Sequence, residues 1–143
     1  MGANPAMANQ PADQTTQAAA AGLRVLLAED NVLNQKVIVR VVRSLGCDVE
    51  VVGNGREALA ACGRRHFDVV LMDIRMPEMD GLEAARRLRQ ELPPDRQPRI
   101  YALTAGIAAE DRQACFDAGM DDFVSKPVVR EELEALLGQI KRG

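Results

Sequence analysis

Cysteine is scarce in this sequence, long apolar runs are absent, and neither sign of charge dominates; each shortage removes a class of function. The three cysteines, Cys47, Cys62 and Cys115, stand too far apart for a zinc site or a redox pair. Their odd number and apolar surroundings predict reduced, mostly buried thiols and a cytoplasmic setting. No apolar run reaches the roughly 18 residues of a membrane span, so no membrane contact by this chain is expected. Lysine and arginine number 18 against 21 aspartates and glutamates, a net charge of -3, which leaves no electrostatic footprint for nucleic acid. The first 22 residues, MGANPAMANQPADQTTQAAAAG, hold one charge and no Leu, Ile, Val or aromatic residue. Such a stretch has too little apolar surface to order itself, and it lacks the basic start and apolar run of a secretory leader. It reads as a disordered tail, a linker remnant or an expression scar.

What remains suffices for one domain, expected over residues 23–141. Hydrophobic residues make up 47% and charged residues 27% of the 143, the balance of an ordinary globular protein. From Leu23 onward, short apolar runs alternate five times with helical patterns. Strands are predicted at Arg24–Ala28, Asp48–Val52, Asp68–Met72, Arg99–Leu103 and Asp122–Ser125. After the first, Leu33, Val37, Val41 and Leu45 fall on one helical face, and Gly46 is placed to end that helix. Further helices are predicted over Arg56–Cys62, around Leu82, Ala85 and Leu88 up to Pro93-Pro94, over Ala109–Ala118, and around Leu133, Leu136, Leu137 and Ile140.

Five βα units of this size imply a parallel sheet covered by helices on both faces. Strands one, three and four are almost continuously apolar, which suits interior positions. Strand two alternates and strand five is short and polar, so both belong at the edges. The expected fold is α/β, a doubly wound, flavodoxin-like (βα)5 sheet in the order 2-1-3-4-5. Its site lies at the strand carboxyl ends, where strands one and three meet.

Those ends carry Glu29 and Asp30, then Asp73, Thr104 and Lys126. Alone, each has a plain structural explanation as a helix cap, a turn residue, a capping hydroxyl or a surface charge. The topology, however, brings all of them to one crevice. Three carboxylates there repel one another by roughly 4 kcal/mol per pair at about 4 Å and an effective dielectric near ~20. One lysine does not offset this. A divalent cation does, and hard oxygen ligands select Mg2+ or a similar ion. A carboxylate beside such an ion can act as a nucleophile and form an acyl phosphate. Lys126 would then neutralise the phosphoryl group and Thr104 donate to one of its oxygens.

The motifs LLAEDN, LMDIRMPEMDG, ALTA and SKP make the chain from Leu23 to about Lys141 resemble the receiver domain of two-component response regulators. The resemblance implies that Asp73 takes a phosphoryl group from a histidine kinase or a histidine phosphotransfer protein. It implies magnesium on Glu29, Asp30, Asp73 and the main-chain carbonyl of Arg75, with Thr104 and Lys126 binding the phosphoryl group. A switch formed by Thr104 and Phe123 and a cis Lys126-Pro127 bond follow from it as well. So does the absence of enzymatic activity beyond the domain's own aspartyl phosphorylation and dephosphorylation. AEDNVLNQKV, NGREAL and CFDAGMDDFVSKP look most like receivers of hybrid sensor histidine kinases, which places that origin ahead of a stand-alone regulator. Arg75 is less usual there than Gln or Cys.

Three rival readings fare worse. Phosphatases with an aspartyl nucleophile resemble one another in carrying a second Asp two residues on, where this chain has Arg75. A flavodoxin-like nucleotide binder needs a Gly, Ser and Thr-rich loop after strand one, where this chain has EDNVLN. A degenerate receiver used only for docking is at odds with the intact acidic set and Lys126. The single histidine, His66 in GRRHF, falls at the opposite end of the sheet and is not expected to donate phosphate. Arg64, Arg65 and the run Arg86–Arg89 are expected on solvated faces. Arg75 is expected on the same side as Asp73, with Gly106 leaving the opposite wall open.

Overall fold

A computed structural model describes residues 21–76, 79–105 and 109–140. Its five strands are β1 (Arg24–Ala28), β2 (Asp48–Val52), β3 (Val69–Asp73), β4 (Arg99–Thr104) and β5 (Asp122–Ser125). They alternate with α1 (Val32–Ser44), α2 (Gly55–Arg64), α3 (Gly81–Glu91), α4 (Ala109–Asp117) and α5 (Arg130–Gly138). All pairings are parallel, and the order is β2-β1-β3-β4-β5, as expected. Burial accounts for that order: β3 is covered along its whole length, whereas β2 is buried only at Val52 and β5 only at Val124. Of the predicted disordered tail, all but Ala21 and Gly22 lie outside the described residues.

Local chemistry sets the helix ends. Asn31, Asn54 and Asp80 each accept a hydrogen bond from the backbone N–H three residues on, opening α1, α2 and α3; each cap is worth about 1 kcal/mol. After α1, Gly46 takes the left-handed conformation at φ +87 that reverses the chain into β2. Helix α3 stops just before Pro93-Pro94. The core then forms as two layers. Helices α1 and α5 cover one sheet face with Ile38, Val42, Leu133 and Leu137, while α2, α3 and α4 cover the other with Ala58, Ala61, Ala85, Leu88 and Cys115. The three cysteines are buried. Burial pushes Cys62 up to about 11 despite the nearby Arg96 guanidinium, so it has little thiolate character at neutral pH.

Two expectations are corrected. Of the predicted α1 stripe Leu45 is buried, but Leu33 and Val37 are 71% and 48% exposed, and the sheet takes Ile38 and Val42 instead. The helix is apolar on more than one side, so its periodicity alone does not choose the buried stripe. In the run Arg86–Arg89, Arg86 and Arg87 make exposed pairs with Glu83 and Glu91, but Arg89 does not face solvent. Its guanidinium donates to the Gly119 and Pro98 carbonyls, to Gln97 and to Asp121, at 2.7–2.9 Å. Gly119, at φ +96, leaves room for the Arg89 stem. This tie joins α3 to the amino ends of β4 and β5.

Candidate functional site

Strand β3 runs one residue further than predicted, so Asp73 is its last rung, in register with Leu103. Strand β1 stops at Ala28, and Glu29 and Asp30 follow. Parallel pairing of β1 with β3 therefore sets these acids side by side. One oxygen from each of Glu29, Asp30 and Asp73 lies within 4.8 Å of the other two. Glu29 is 1% and Asp73 6% exposed, whereas Asp30 is open to solvent. Lys126, just past β5, reaches across with Nζ 2.8 Å from Asp73 Oδ2 and 2.9 Å from Glu29 Oε1. Its peptide bond to Pro127 is cis, as the resemblance implied. Partial burial works to lower the Lys126 pKa, but the Asp73 and Glu29 carboxylates outweigh it and hold the ammonium above its ordinary value.

The oxygens are not equally satisfied. Asp73 Oδ1 accepts from the Arg75 N–H at 3.0 Å and Oδ2 from Lys126. Glu29 Oε2 accepts from the Asn31 N–H at 3.1 Å. Glu29 Oε1 is buried and receives no directed hydrogen bond, although the Lys126 ammonium stands beside it. That ammonium, 2.9 Å away, is shared with Asp73. Three carboxylates against one ammonium also leave the crevice negative. This donor set, all hard oxygens with a surplus of negative charge, fits a divalent cation such as magnesium.

The remaining predicted residues gather around this centre. Thr104 ends β4 and is 7% exposed. In register it pairs with Ser125, and Ala102 pairs with Phe123, so Thr104 and Phe123 share one sheet face a pleat apart. The Phe123 ring lies 6.1 Å from that of Phe116, with the Arg112 guanidinium 5.3 Å above it. The Arg75 side chain is exposed, while Gly106 lies outside the described residues. His66 is at the other end of the sheet, 3.6 Å from Asp68. Clefts of ≈ 600 and ≈ 720 Å³ also open at that end, away from the acids.

Sequence reasoning missed the role of Gly81. A methyl group there would collide with the Asp73 carbonyl oxygen and crowd Ile74 and Met72. The N–H of Gly81 donates to the Ile74 carbonyl at 3.2 Å. The start of α3 thus presses on the backbone that carries Asp73, a contact only glycine permits. One signal was available: a glycine directly after the capping Asp80, in a helix that otherwise disfavours it.

The comparisons agree with this geometry. The family model described as the response regulator receiver domain matches residues 25–138. The chain belongs to the response regulator receiver family. The receiver is 38% identical over 119 residues to hybrid signal transduction histidine kinase L of Dictyostelium discoideum, covering 80% of this chain but only 7% of that kinase. Among solved structures it is similar to the receiver domain of sensor histidine kinase PA1611 from Pseudomonas aeruginosa, which has a magnesium ion coordinated in its active site cleft. That likeness has 42% identity and a TM-score of 0.76, covering 84% of this chain and 98% of the other. It is also similar to the Saccharomyces cerevisiae Ssk1 receiver domain, solved in complex with the histidine phosphotransfer protein Ypd1, at 26% identity and a TM-score of 0.74, covering 82% and 87% of the two chains. Among the described residues, no helix of the receiver is long and apolar enough to cross a membrane.

Proposed function

We propose that Asp73 is the phosphoacceptor of a magnesium-dependent phosphorelay, with residues 23–141 as the receiver domain and residues 1–22 as a tail or linker. The observation that carries this is the buried carboxylate of Asp73, flanked by two further acids and held 2.8 Å from the Lys126 ammonium. Glu29, Asp30, Asp73 and the main-chain carbonyl of Arg75 would hold Mg2+. When bound, the ion supplies positive charge against the phosphoryl oxygens. An Asp73 oxygen attacks the phosphorus of a phosphohistidine whose other ring nitrogen carries a proton. The P–O bond forms as the P–N bond breaks, the electron pair returns to the imidazole, and the products are an acyl phosphate and neutral histidine. Lys126 neutralises the transferred group and the Thr104 hydroxyl donates to it. The chain catalyses only its own phosphorylation and dephosphorylation.

The donor is a histidine kinase or a histidine phosphotransfer protein, in keeping with the partner of the similar Ssk1 receiver. Val32, Leu33 and Val37, exposed on α1 just beyond Asp30, offer that partner an apolar footing beside the crevice. A hybrid histidine kinase is the parent protein in this reading, supported by the names of the relatives, and its receiver works in the cytoplasm. Once phosphate is in place, movement of Thr104 toward it leaves room for Phe123 to turn inward, altering the α4–β5–α5 surface by the roughly 1–3 kcal/mol usual for coupled sites. The test is incubation with a phosphorylated phosphotransfer protein, with and without chelator, followed by mapping of the label. Label on a residue other than Asp73, or transfer undiminished by chelation, overturns the reading.

A further inference from the structure

Glu29 is held from two sides by the first turn of α1. The Asn34 side-chain amide donates to Glu29 Oε2 at 3.4 Å, beside the Asn31 N–H at 3.1 Å. The Gln35 side-chain amide donates to the Glu29 main-chain carbonyl at 2.6 Å. Asn31 closes the arrangement by accepting the Asn34 N–H at 2.9 Å with its side-chain oxygen. The two Glu29 oxygens therefore have different surroundings. Oε2 is anchored by neutral amides, and Oε1 is turned toward the crevice, 2.9 Å from the Lys126 ammonium.

We propose that Asn34 is a positioning residue for the metal, acting through Glu29, with Gln35 steadying the backbone beneath. A glutamate has one more rotatable bond than an aspartate, so its carboxylate must be oriented before it can serve a small, geometrically demanding ion. The Asn34 amide supplies that orientation by fixing one oxygen and leaving the other for the site. The inference rests on the magnesium reading above. It adds a claim of its own: Asn34 matters because residue 29 is glutamate. An aspartate there is shorter by one C–C bond, about 1.5 Å, and its oxygen falls beyond reach of an amide already at the long end of hydrogen bonding.

The decisive experiment is a double-mutant cycle on Mg2+ affinity, measured calorimetrically on the 143-residue chain with Asn34→Ala, Glu29→Asp and the pair. Asn34→Ala removes the side-chain amide but keeps the backbone N–H that Asn31 caps, so α1 retains its start. Its unfolding in EDTA should change little. Affinity should fall about tenfold in the Glu29 chain, the low end for a residue supporting a metal ligand, and less than twofold in the Glu29→Asp chain. An equal loss in both backgrounds overturns the proposal and makes Asn34 a general helix-start residue. No loss in the Glu29 chain overturns it too. If the unsubstituted chain binds no Mg2+ at millimolar concentration, the metal reading fails and this inference fails with it.

Discussion

The two ends of the sheet use the same kinds of side chain to opposite effect. At the amino ends of β4 and β5, the Arg89 guanidinium has a partner on each of its nitrogens, and Asp121 accepts both from it and from the Ile100 N–H at 2.9 Å. That network is balanced in charge and pairs every guanidinium nitrogen. At the carboxyl ends, three carboxylates share one ammonium, which stands 2.8 Å from Asp73 and 2.9 Å from Glu29. A satisfied polar network adds rigidity and asks for nothing more. One with surplus like charge holds free energy that a cation can release. Charge balance, more than residue type, separates the structural end from the chemical one. Clefts of ≈ 600 and ≈ 720 Å³ sit at the balanced end, so those hollows point away from the acids.

The sharpest way to break this comparison is Asp73→Asn. Labelling by a phosphohistidine donor should be lost completely. Metal-free stability should hold or rise, because one charge is removed from a like-charged cluster; a marked loss in urea denaturation with EDTA would show that the carboxyl end is structural after all. The converse substitution, Arg89→Leu, should cost about 2–3 kcal/mol in the same assay through lost hydrogen bonds to a charged group. Its labelling should be normal, and a large fall in transfer rate at full occupancy of the folded state would contradict the division of roles.

A smaller effect sharpens the point at Lys126. Its pKa is raised in the fold by Asp73 and Glu29 against the opposing effect of burial. Folding therefore favours the charged form. That contribution is whole below the ordinary value of 10.5 and is lost as pH climbs through the higher folded value. Urea titrations from about pH 9 to 12 should show a decline that is shallower in Lys126→Met, which keeps only the share due to the raised Cys62 and Tyr101; identical profiles would deny the coupling. The smallest expected effect is at Arg75. Its exposed guanidinium can shield a phosphoryl group only weakly, by about 0.2–1 kcal/mol, so Arg75→Ala should shorten the phosphoprotein's lifetime a few-fold at most and leave Mg2+ affinity unchanged. An equal or longer lifetime means that Arg75 does not screen the site.

Much of this molecule follows from order along the chain. Full burial of Val69–Asp73 and partial burial of β2 and β5 were legible as apolar run, alternation and brevity. Strand order followed from them, and with it the meeting of Glu29, Asp30, Asp73, Thr104 and Lys126, because parallel βα units put every carboxyl end on one side. The helix starts at Asn31, Asn54 and Asp80 are equally local, each needing only a side-chain oxygen three residues from an unpaired N–H. Other features belong to the tertiary structure. Arg89 meets Asp121 across 32 residues, and nothing in its own helix distinguishes it from Arg86 or Arg87. Helix α1 offers the sheet more than one apolar stripe, and packing alone chose Ile38 and Val42 over Leu33 and Val37. Gly81 is required by the Asp73 backbone lying against it, and Asn34 reaches Glu29 only because β1 turns directly into α1. The sequence determined which residues come to the crevice, since periodicity and connectivity are properties of a chain. The tertiary structure decided which polar atoms end up satisfied, since that depends on distances between segments the chain does not encode locally.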